Sequence, residues 1–428
     1  MHIHRDRYLS ELVDRMHNGM IKIVTGLRRC GKTYLLFEIF KRYLLEEGID
    51  AENIIEVPLD DEAYSEYRDP KKLSAFIDEC ISGKHGICYV LLDEIQYAIS
   101  DREFRSDQAP RVYGVLNGLL RRKNVDVYVT GSNSKMLSSD ILTEFRGRGD
   151  EVRVRPLTFS EFMQAYDGDM YQGLSEYMLY GGMPQILSMR TDSQKTVYLE
   201  RLFTETYIKD IVSRNGLRRE IELEQLVEFA ASSIGCLTSP KKLEATFKSE
   251  LGSTMSYNTI VEYLRCLKEA FVIEEAKRFD IKGRKYINGT SKYYFEDVGL
   301  RNACLSFRQV ENNHIMENVI YNELRYRGFS VDVGIVKKRS SGKANDSVNQ
   351  LEADFVANLG AQRLYIQSAY SIPSKEKEDQ EKRSLRSIGD SFKKIVVVHD
   401  IVKPTRDEHG ILTLNIYDFL TNPDSLLL

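Results

Sequence analysis

Over the first 160 residues, short runs rich in apolar and β-branched residues alternate with segments whose apolar positions recur at helical spacing. The runs lie at 21–25, 53–59, 87–92, 125–130 and 152–156. They predict strands, and the run at 87–92, apolar throughout, fits a central strand of a parallel sheet covered on both faces. Between them, Tyr8, Leu9, Leu12, Val13 and Met16 share one face of a helix within 4–17. Leu35, Leu36, Ile39, Phe40 and Tyr43 share a face of a helix beginning at Tyr34, and 73–81 reads as a third helix.

Beyond residue 158 the rhythm is helical. Helices are predicted at 159–166, 173–180 and 195–213, with a break at 180–184. Three more follow at 223–233, 239–248 and 256–269. Pro240 falls in the first turn of the second, and Ile260, Tyr263, Leu264 and Leu267 face inward on the third. Residues 271–278 and 292–295 are expected to pair as strands around a glycine-containing tip. The last third reads as a helix at 315–328, strands at 331–333, 350–356, 363–369, 394–399 and 413–416, a polar loop at 337–350 and a charged helix at 375–385. The expected domains are therefore an α/β domain at 1–157, a helical lid or fixed linker at 158–219, a helix–helix–helix–hairpin module at 220–297, and a small α/β domain at 298–428.

Composition narrows the class. A chain of 428 residues, 42% hydrophobic and 29% charged, suits several globular domains with real cores. The formal net charge of −4 provides no global basic field, so nucleic-acid contact must be local. Cysteines at 30, 80, 88, 236, 266 and 304 form no C-x-x-C pair and no Cys/His cluster, which predicts reduced thiols and a cytoplasmic protein. The opening Met-His-Ile-His-Arg-Asp-Arg lacks a signal-peptide apolar core. No apolar run approaches the roughly 20 residues of a membrane span.

The chemistry concentrates at Gly26-Leu27-Arg28-Arg29-Cys30-Gly31-Lys32-Thr33, a G-x-x-x-x-G-K-[ST] loop between a predicted strand and a helix that starts at Tyr34. Gly26 and Gly31 let the backbone curl so that amides face an anion, and the helix N-terminus adds its own. Lys32 is placed to neutralise β- and γ-phosphates, and the Thr33 hydroxyl to ligate Mg²⁺. ATP and Mg²⁺ are the expected ligands, with Gly26 through Tyr34 as the binding segment. The strand at 87–92 ends in Asp93-Glu94. Asp93 is expected to hold Mg²⁺, directly or through water, and Glu94 to polarise the attacking water. After the strand at 125–130, Asn133 or Ser132 is the candidate to touch the γ-phosphate or the water. Plain turn chemistry also explains these residues. Arg146 and Arg148, on a glycine-flexed segment, are candidate arginine fingers in cis or from a neighbouring subunit of a homo-oligomer, or else solvated surface residues.

These motifs, with Tyr-Val-Leu-Leu-Asp-Glu-Ile-Gln, Val-Thr-Gly-Ser-Asn-Ser, Arg-Pro-Leu-Thr-Phe-Ser-Glu-Phe and the stretches 180–184, 207–211 and 292–302, resemble bacterial and archaeal AAA-type ATPases that carry a C-terminal DUF4143 region. The resemblance runs through nearly the whole chain. It implies a P-loop ATPase domain with an AAA-like sheet.

The module at 220–297 looks like a winged helix, whose third helix offers Asn258, Thr259, Arg265 and Lys268. Its hairpin, 277–292, holds Lys277, Arg278, Lys282, Arg284, Lys285 and Lys292 against Asp280, a local charge of +5. DNA or RNA contact and contact with a protein partner are both open. In the last domain, Asp354 with Glu317 or Glu323 matches part of the restriction-endonuclease-like metal site. The E-x-K positions read Gln367-Ser368-Ala369 instead. The fold is expected to persist and the cutting to be lost.

Overall fold

A computed structural model describes residues 3–104, 109–131, 148–217, 219–250, 255–339 and 348–428. The chain forms two compact units, Met1–Pro156 with Glu269–Phe271, and Leu157–Lys268 with Val272–Leu428.

In the first unit the five apolar runs become β1 (Ile21–Gly26), β2 (Ile54–Pro58), β3 (Cys88–Asp93), β4 (Val125–Thr130) and β5 (Gly149–Val154). They form one sheet in the order β2-β3-β4-β1-β5, with every neighbouring pair parallel. Every residue of β1 and β3 is buried. Leu73, Ile77 and Ile81 of the helix Pro70–Ile81 and Val112, Leu116 and Leu119 of the helix Arg111–Leu120 cover Ile55, Val90 and Val127. Each such side chain contributes about 1.5–3 kcal/mol on burial. Asp69 starts the first of these helices by accepting from the Lys71 and Lys72 amides, with Pro70 behind it.

The apolar pattern of β1 hides one charge. Lys22 is fully buried and pairs with Asp126 of β4, which also accepts from the Tyr128 hydroxyl at 3.0 Å and the His17 amide at 3.1 Å. Burial holds Lys22 below the usual lysine range, although Asp126 acts the other way. This network lies where β1 and β4 begin. Gly26, Asp93 and Thr130 lie where β1, β3 and β4 end, at the edge where open parallel sheets bind ligands.

The second unit starts with the helices Phe159–Met163 and Met170–Tyr180 and a long helix Asp192–Arg201 that continues through π-helical Leu202–Ile208 to Lys209–Asn215. Three helices follow, Glu220–Ser232, Pro240–Glu250 and Tyr257–Glu269. The strands β6 (Ile273–Asp280), β7 (Lys285–Phe295), β8 (Ser330–Arg339), β9 (Val348–Leu359), β10 (Gln362–Ala369), β11 (Lys393–Val398), β12 (Thr405–Arg406) and β13 (Leu412–Asn415) form one eight-stranded sheet ordered β12-β13-β11-β10-β9-β8-β6-β7.

Three expectations change here. The hairpin strands are longer than the apolar pattern suggests, because β6–β7 pairing continues through polar Lys277–Asp280 past a bulge at Lys277/Arg278. Residues 337–339 and 348–350 are likewise paired strand ends rather than loop, as β8 and β9 stay in register from Lys337↔Gln350 to Arg339↔Val348. The sheet is also continuous across the boundary drawn at 297/298, since β6 pairs in parallel with β8.

The motifs at 180–184 and 292–302 meet at Asp297. One carboxylate oxygen accepts from the Leu300 amide at 2.9 Å, which caps the helix Val298–Cys304, and the other from the Gly182 amide at 2.7 Å. Gly181 sits at φ 75°, and a Cβ there would lie 2.2 Å from Asp297 Oδ1. Asn302 Nδ2 completes the clamp by donating to the Met178 and Leu179 carbonyls at 3.1 and 2.8 Å. Burial pushes the Asp297 carboxyl up to about 6 against the pull of its backbone donors.

Asp297→Ala should therefore leave at least two buried amides unpaired at about 1–3 kcal/mol each. Urea denaturation should show a loss of roughly 2–5 kcal/mol. Because the folded carboxyl titrates above its ordinary 3.8, the wild-type advantage should be full below about pH 4 and shrink as the pH rises through about 6. An unchanged unfolding midpoint would remove the clamp from the account.

Candidate functional site

The loop after β1 is shaped by close approach to β5. Gly26 has φ 139°, and a Cβ there would lie 2.0 Å from the Val154 carbonyl oxygen, so only glycine lets the two strands close. Arg29 at φ 65° and Gly31 at φ 101° turn the loop back on itself. Leu27 and Cys30 are buried beneath it, with the Cys30 thiol 3.4 Å from the Val154 carbonyl. Arg28 and Tyr34 are half-buried, and Arg29 and Thr33 are exposed. Arg5 braces the loop from outside the motif. Its guanidinium donates to the Cys30 carbonyl at 3.1 Å and to the Arg155 carbonyl at 2.7 Å.

Lys32 opens the helix Lys32–Tyr34, which continues as π-helical Leu35–Phe40 and α-helical Lys41–Glu46. Its side chain is folded inward, and Nζ donates to the Gly26 and Leu27 carbonyls at 3.2 and 3.1 Å. The charge required for a phosphate is thus held inside the loop.

Asp93, 1% exposed, is held between two hydroxyls. Thr33 Oγ1 donates to Oδ2 at 2.7 Å, and Thr130 Oγ1 donates to Oδ1. Burial pushes the carboxyl up to about 6, although both hydroxyls pull it down. Glu94 follows in the left-handed region at φ 51° and ψ 52°, a conformation a non-glycine residue keeps only when its surroundings fix it. Its amide donates to Thr130 Oγ1 at 2.9 Å, and Gln96 Nε2 donates to its carboxylate. Thr130 therefore serves both acidic residues at once.

The structure brings the segment Gly26–Tyr34 together with Asp93 and Glu94. Asn133, Ser132 and Arg146 lie outside the described residues. Arg148 is not brought to the loop in this chain. Its carbonyl accepts from the Ile21 amide at 2.9 Å where β1 begins, and the loop starts five residues later, about 16 Å along an extended strand. This follows because β5 runs parallel to β1 and starts at the far edge of the sheet.

Three contributors were missed. Thr130 was legible as the polar residue ending an otherwise apolar strand beside the acidic one. Gln96 follows two residues after Glu94. Arg5 carries no signal in the sequence, since it acts from 25 residues away. Among the described residues no group of three or more His, Cys, Asp or Glu side chains is placed to hold a metal ion. A Mg²⁺ site here would need phosphate oxygens and water besides Thr33 and Asp93. A hydroxyl and a carboxylate beside a phosphate loop are suitable hard oxygen donors for that.

The comparisons agree with this geometry. The family model described as "AAA domain" matches residues 18–163. The matched residues hold the parallel five-stranded sheet and the phosphate loop. The chain belongs to the same family as an uncharacterized protein of Haemophilus influenzae, to which it is 31% identical over 423 residues, 98% of each chain. An uncharacterized protein of Methanocaldococcus jannaschii is 26% identical over 389 residues, 86% of this chain and 79% of the other. Among solved structures, the Walker-type ATPase of Pyrococcus abyssi aligns with a TM-score of 0.51 at 16% identity, covering 71% of this chain and 96% of that one.

The region after the AAA domain matches "Domain of unknown function (DUF8612)" at 171–311, which corrects the DUF4143 assignment. The motifs at 180–184 and 292–302 both fall inside that match, as the two sides of the Asp297 clamp. No helix among the described residues is long and apolar enough to cross a membrane.

Lys32→Ala should abolish measurable ATP binding, since it removes the one side-chain cation held inside the loop by Gly26 and Leu27. Unchanged nucleotide affinity by calorimetry would overturn the phosphate-loop assignment.

Proposed function

We propose that this chain binds ATP with Mg²⁺, hydrolyses it, and uses the cycle to control its second unit. The observation that carries the reading is the convergence of Lys32, Thr33, Asp93, Glu94 and Thr130 at the ends of three adjacent parallel strands. In this reading the loop amides and Lys32 receive the β- and γ-phosphates, Lys32 exchanging the Gly26 and Leu27 carbonyls for phosphate oxygens. Thr33 and Asp93 would hold Mg²⁺, which supplies charge neutralisation at the phosphates when bound. Glu94 takes the proton of the attacking water, and the Thr130 and Gln96 hydrogen bonds fix its backbone and carboxylate for that task. Arg148 would act only from a neighbouring copy, and Asn133 remains a candidate for contacting the γ-phosphate or the water.

Glu94→Gln should bind ATP with wild-type affinity and hydrolyse it about 10²–10⁴-fold more slowly in a phosphate-release assay. Wild-type turnover in this variant would move the general base elsewhere. A wild type that binds ATP tightly without turnover would favour a nucleotide-gated binding module.

For the second unit we propose a winged-helix module, preceded by a helical lid and followed by an inactive nuclease-like domain. Supporting the first is the run of three helices into the β6–β7 hairpin, with Thr238 and Ser291 exchanging backbone hydrogen bonds at 2.9 Å between helix connection and hairpin. Supporting the last is the order helix Asn312–Tyr326, β8, β9, β10, helix Lys375–Arg386, β11, with β10 and β11 parallel. Gln367 turns towards Glu381 and Ser384 of the second of these helices, at 3.5 and 3.4 Å. Glu323 pairs with Arg327 at 2.7 Å.

The same hairpin supports nucleic-acid contact, through fewer cations than the sequence count of +5. Lys277, Lys282, Arg284 and Lys285 are exposed. Arg278 is bound to Thr290 and Gln350, Lys268 to Glu275, and Lys292 is buried. Replacing Lys282, Arg284 and Lys285 together with Ala should weaken DNA binding and flatten its dependence on salt by up to about three charges. No binding by the wild type at low salt, in a fluorescence-anisotropy titration, would assign the hairpin to a protein partner.

A further inference from the structure

A second gathering of charge lies inside the second unit. Glu317 reaches in from the helix Asn312–Tyr326, and Glu352 and Asp354 from alternate positions on β9, which share a face. Glu317 and Asp354 are each 7% exposed. Carboxylates are the donors that hard divalent cations take, but as placed around Lys292 these three leave no position open for one. Here the centre is filled from within the chain. Lys292 of β7, 2% exposed, places Nζ 2.8 Å from Glu317, 2.7 Å from Glu352 and 3.7 Å from Asp354.

Two of the acids have a further donor, on the oxygen Lys292 already takes in Glu317 (Oε1) and on the other oxygen in Asp354 (Oδ2). The Tyr294 hydroxyl donates to Glu317 at 2.6 Å, and the Ser368 amide donates to Asp354 at 2.8 Å. An ammonium carries three donors and a positive charge at neutral pH, so one lysine lies in hydrogen-bond range of Glu317 and Glu352 and in ion-pair range of Asp354.

We infer that Lys292 is the built-in cation of this cluster: its ammonium occupies the position a divalent ion would need, and the cluster is thereby closed to metal binding and to metal-dependent phosphodiester chemistry, an inference that rests on the nuclease-like reading only for the latter. The electrostatics agree with the geometry. Burial alone would lower the Lys292 pKa, but the three carboxylates outweigh it and hold the ammonium charged well beyond the usual lysine range. Burial and the Glu317 charge push Asp354 well above the usual carboxylate range, as expected where one positive charge faces three acids. The chain also keeps its cation tethered, so an ion from solution must displace a group that does not diffuse away and must itself shed water to enter a buried site. This assignment is independent of ATP hydrolysis in the first unit.

The test uses the full chain without nucleotide, with Tb³⁺ and Mn²⁺ as probes, Tyr294 being placed to sensitise Tb³⁺ emission at Glu317. The wild type should show neither saturable Tb³⁺ emission nor a Mn²⁺-dependent shift in melting temperature. Lys292→Met should melt lower than wild type in EDTA, regain melting temperature with Mn²⁺, and give saturable Tb³⁺ emission. A further Asp354→Asn change should abolish both gains. A folded Lys292→Met that binds neither ion would overturn the inference. Should Lys292→Met fail to fold, wild type against Asp354→Asn decides alone. Absence of binding in both upholds the inference, and an ion bound by the wild type but lost in Asp354→Asn refutes it.

Discussion

The proposed nucleotide site depends on how one buried carboxylate is satisfied. Asp93 ends a strand with no exposed residue, where an unpaired charge would be costly, and the hydroxyls that satisfy it come from two other strands' ends. Thr33 belongs to the helix that leaves β1, and Thr130 ends β4. Their hydrogen bonds to Asp93 couple the phosphate loop, the acidic strand and the strand between them. Thr130 then uses the same oxygen to accept the Glu94 amide and hold that residue in its left-handed turn. The parallel register of β3, β4 and β1 makes this possible, because it ends all three strands at one edge.

The first unit was largely legible in the sequence, for physical reasons. Buried parallel strands are mostly apolar on both faces, so β3 stands out as an unbroken run and β1 and β4 as runs broken once each, at Lys22 and Asp126, and the phosphate loop needs glycines at Gly26 and Gly31. What the sequence hid was action at a distance. Arg5 holds the loop across 25 residues, and Lys22 looks like an interruption of a strand until Asp126 is seen beside it. The place of Arg148 was hidden for a related reason. A glycine-flexed arginine near the end of a domain looks like a finger, but only the strand register shows which edge it occupies.

The second unit was harder to read because its polar residues point inward. Counting charge along the hairpin treated Lys292 as part of a basic surface, whereas alternation along β7 sends it into the interior towards Glu317, Glu352 and Asp354. Asp297 looked like part of a family motif and turns out to join two chain segments 115 residues apart through backbone amides. Strand lengths were underestimated where pairing continues beyond the apolar core, since backbone hydrogen bonds carry a ladder through polar residues such as Lys337–Arg339. Buried polar groups with specific partners thus account both for the integrity of this unit and for its poor legibility.

The central claim is that the edge formed by Gly26, Lys32, Thr33, Asp93 and Glu94 is a working ATP·Mg²⁺ site. Equilibrium binding of ATP to the intact wild-type chain, measured with and without Mg²⁺ and followed by phosphate release, tests it most directly. The account predicts one ATP per chain, tighter binding with Mg²⁺, and multiple turnovers. No saturable binding, or binding and turnover indifferent to Mg²⁺, would contradict it.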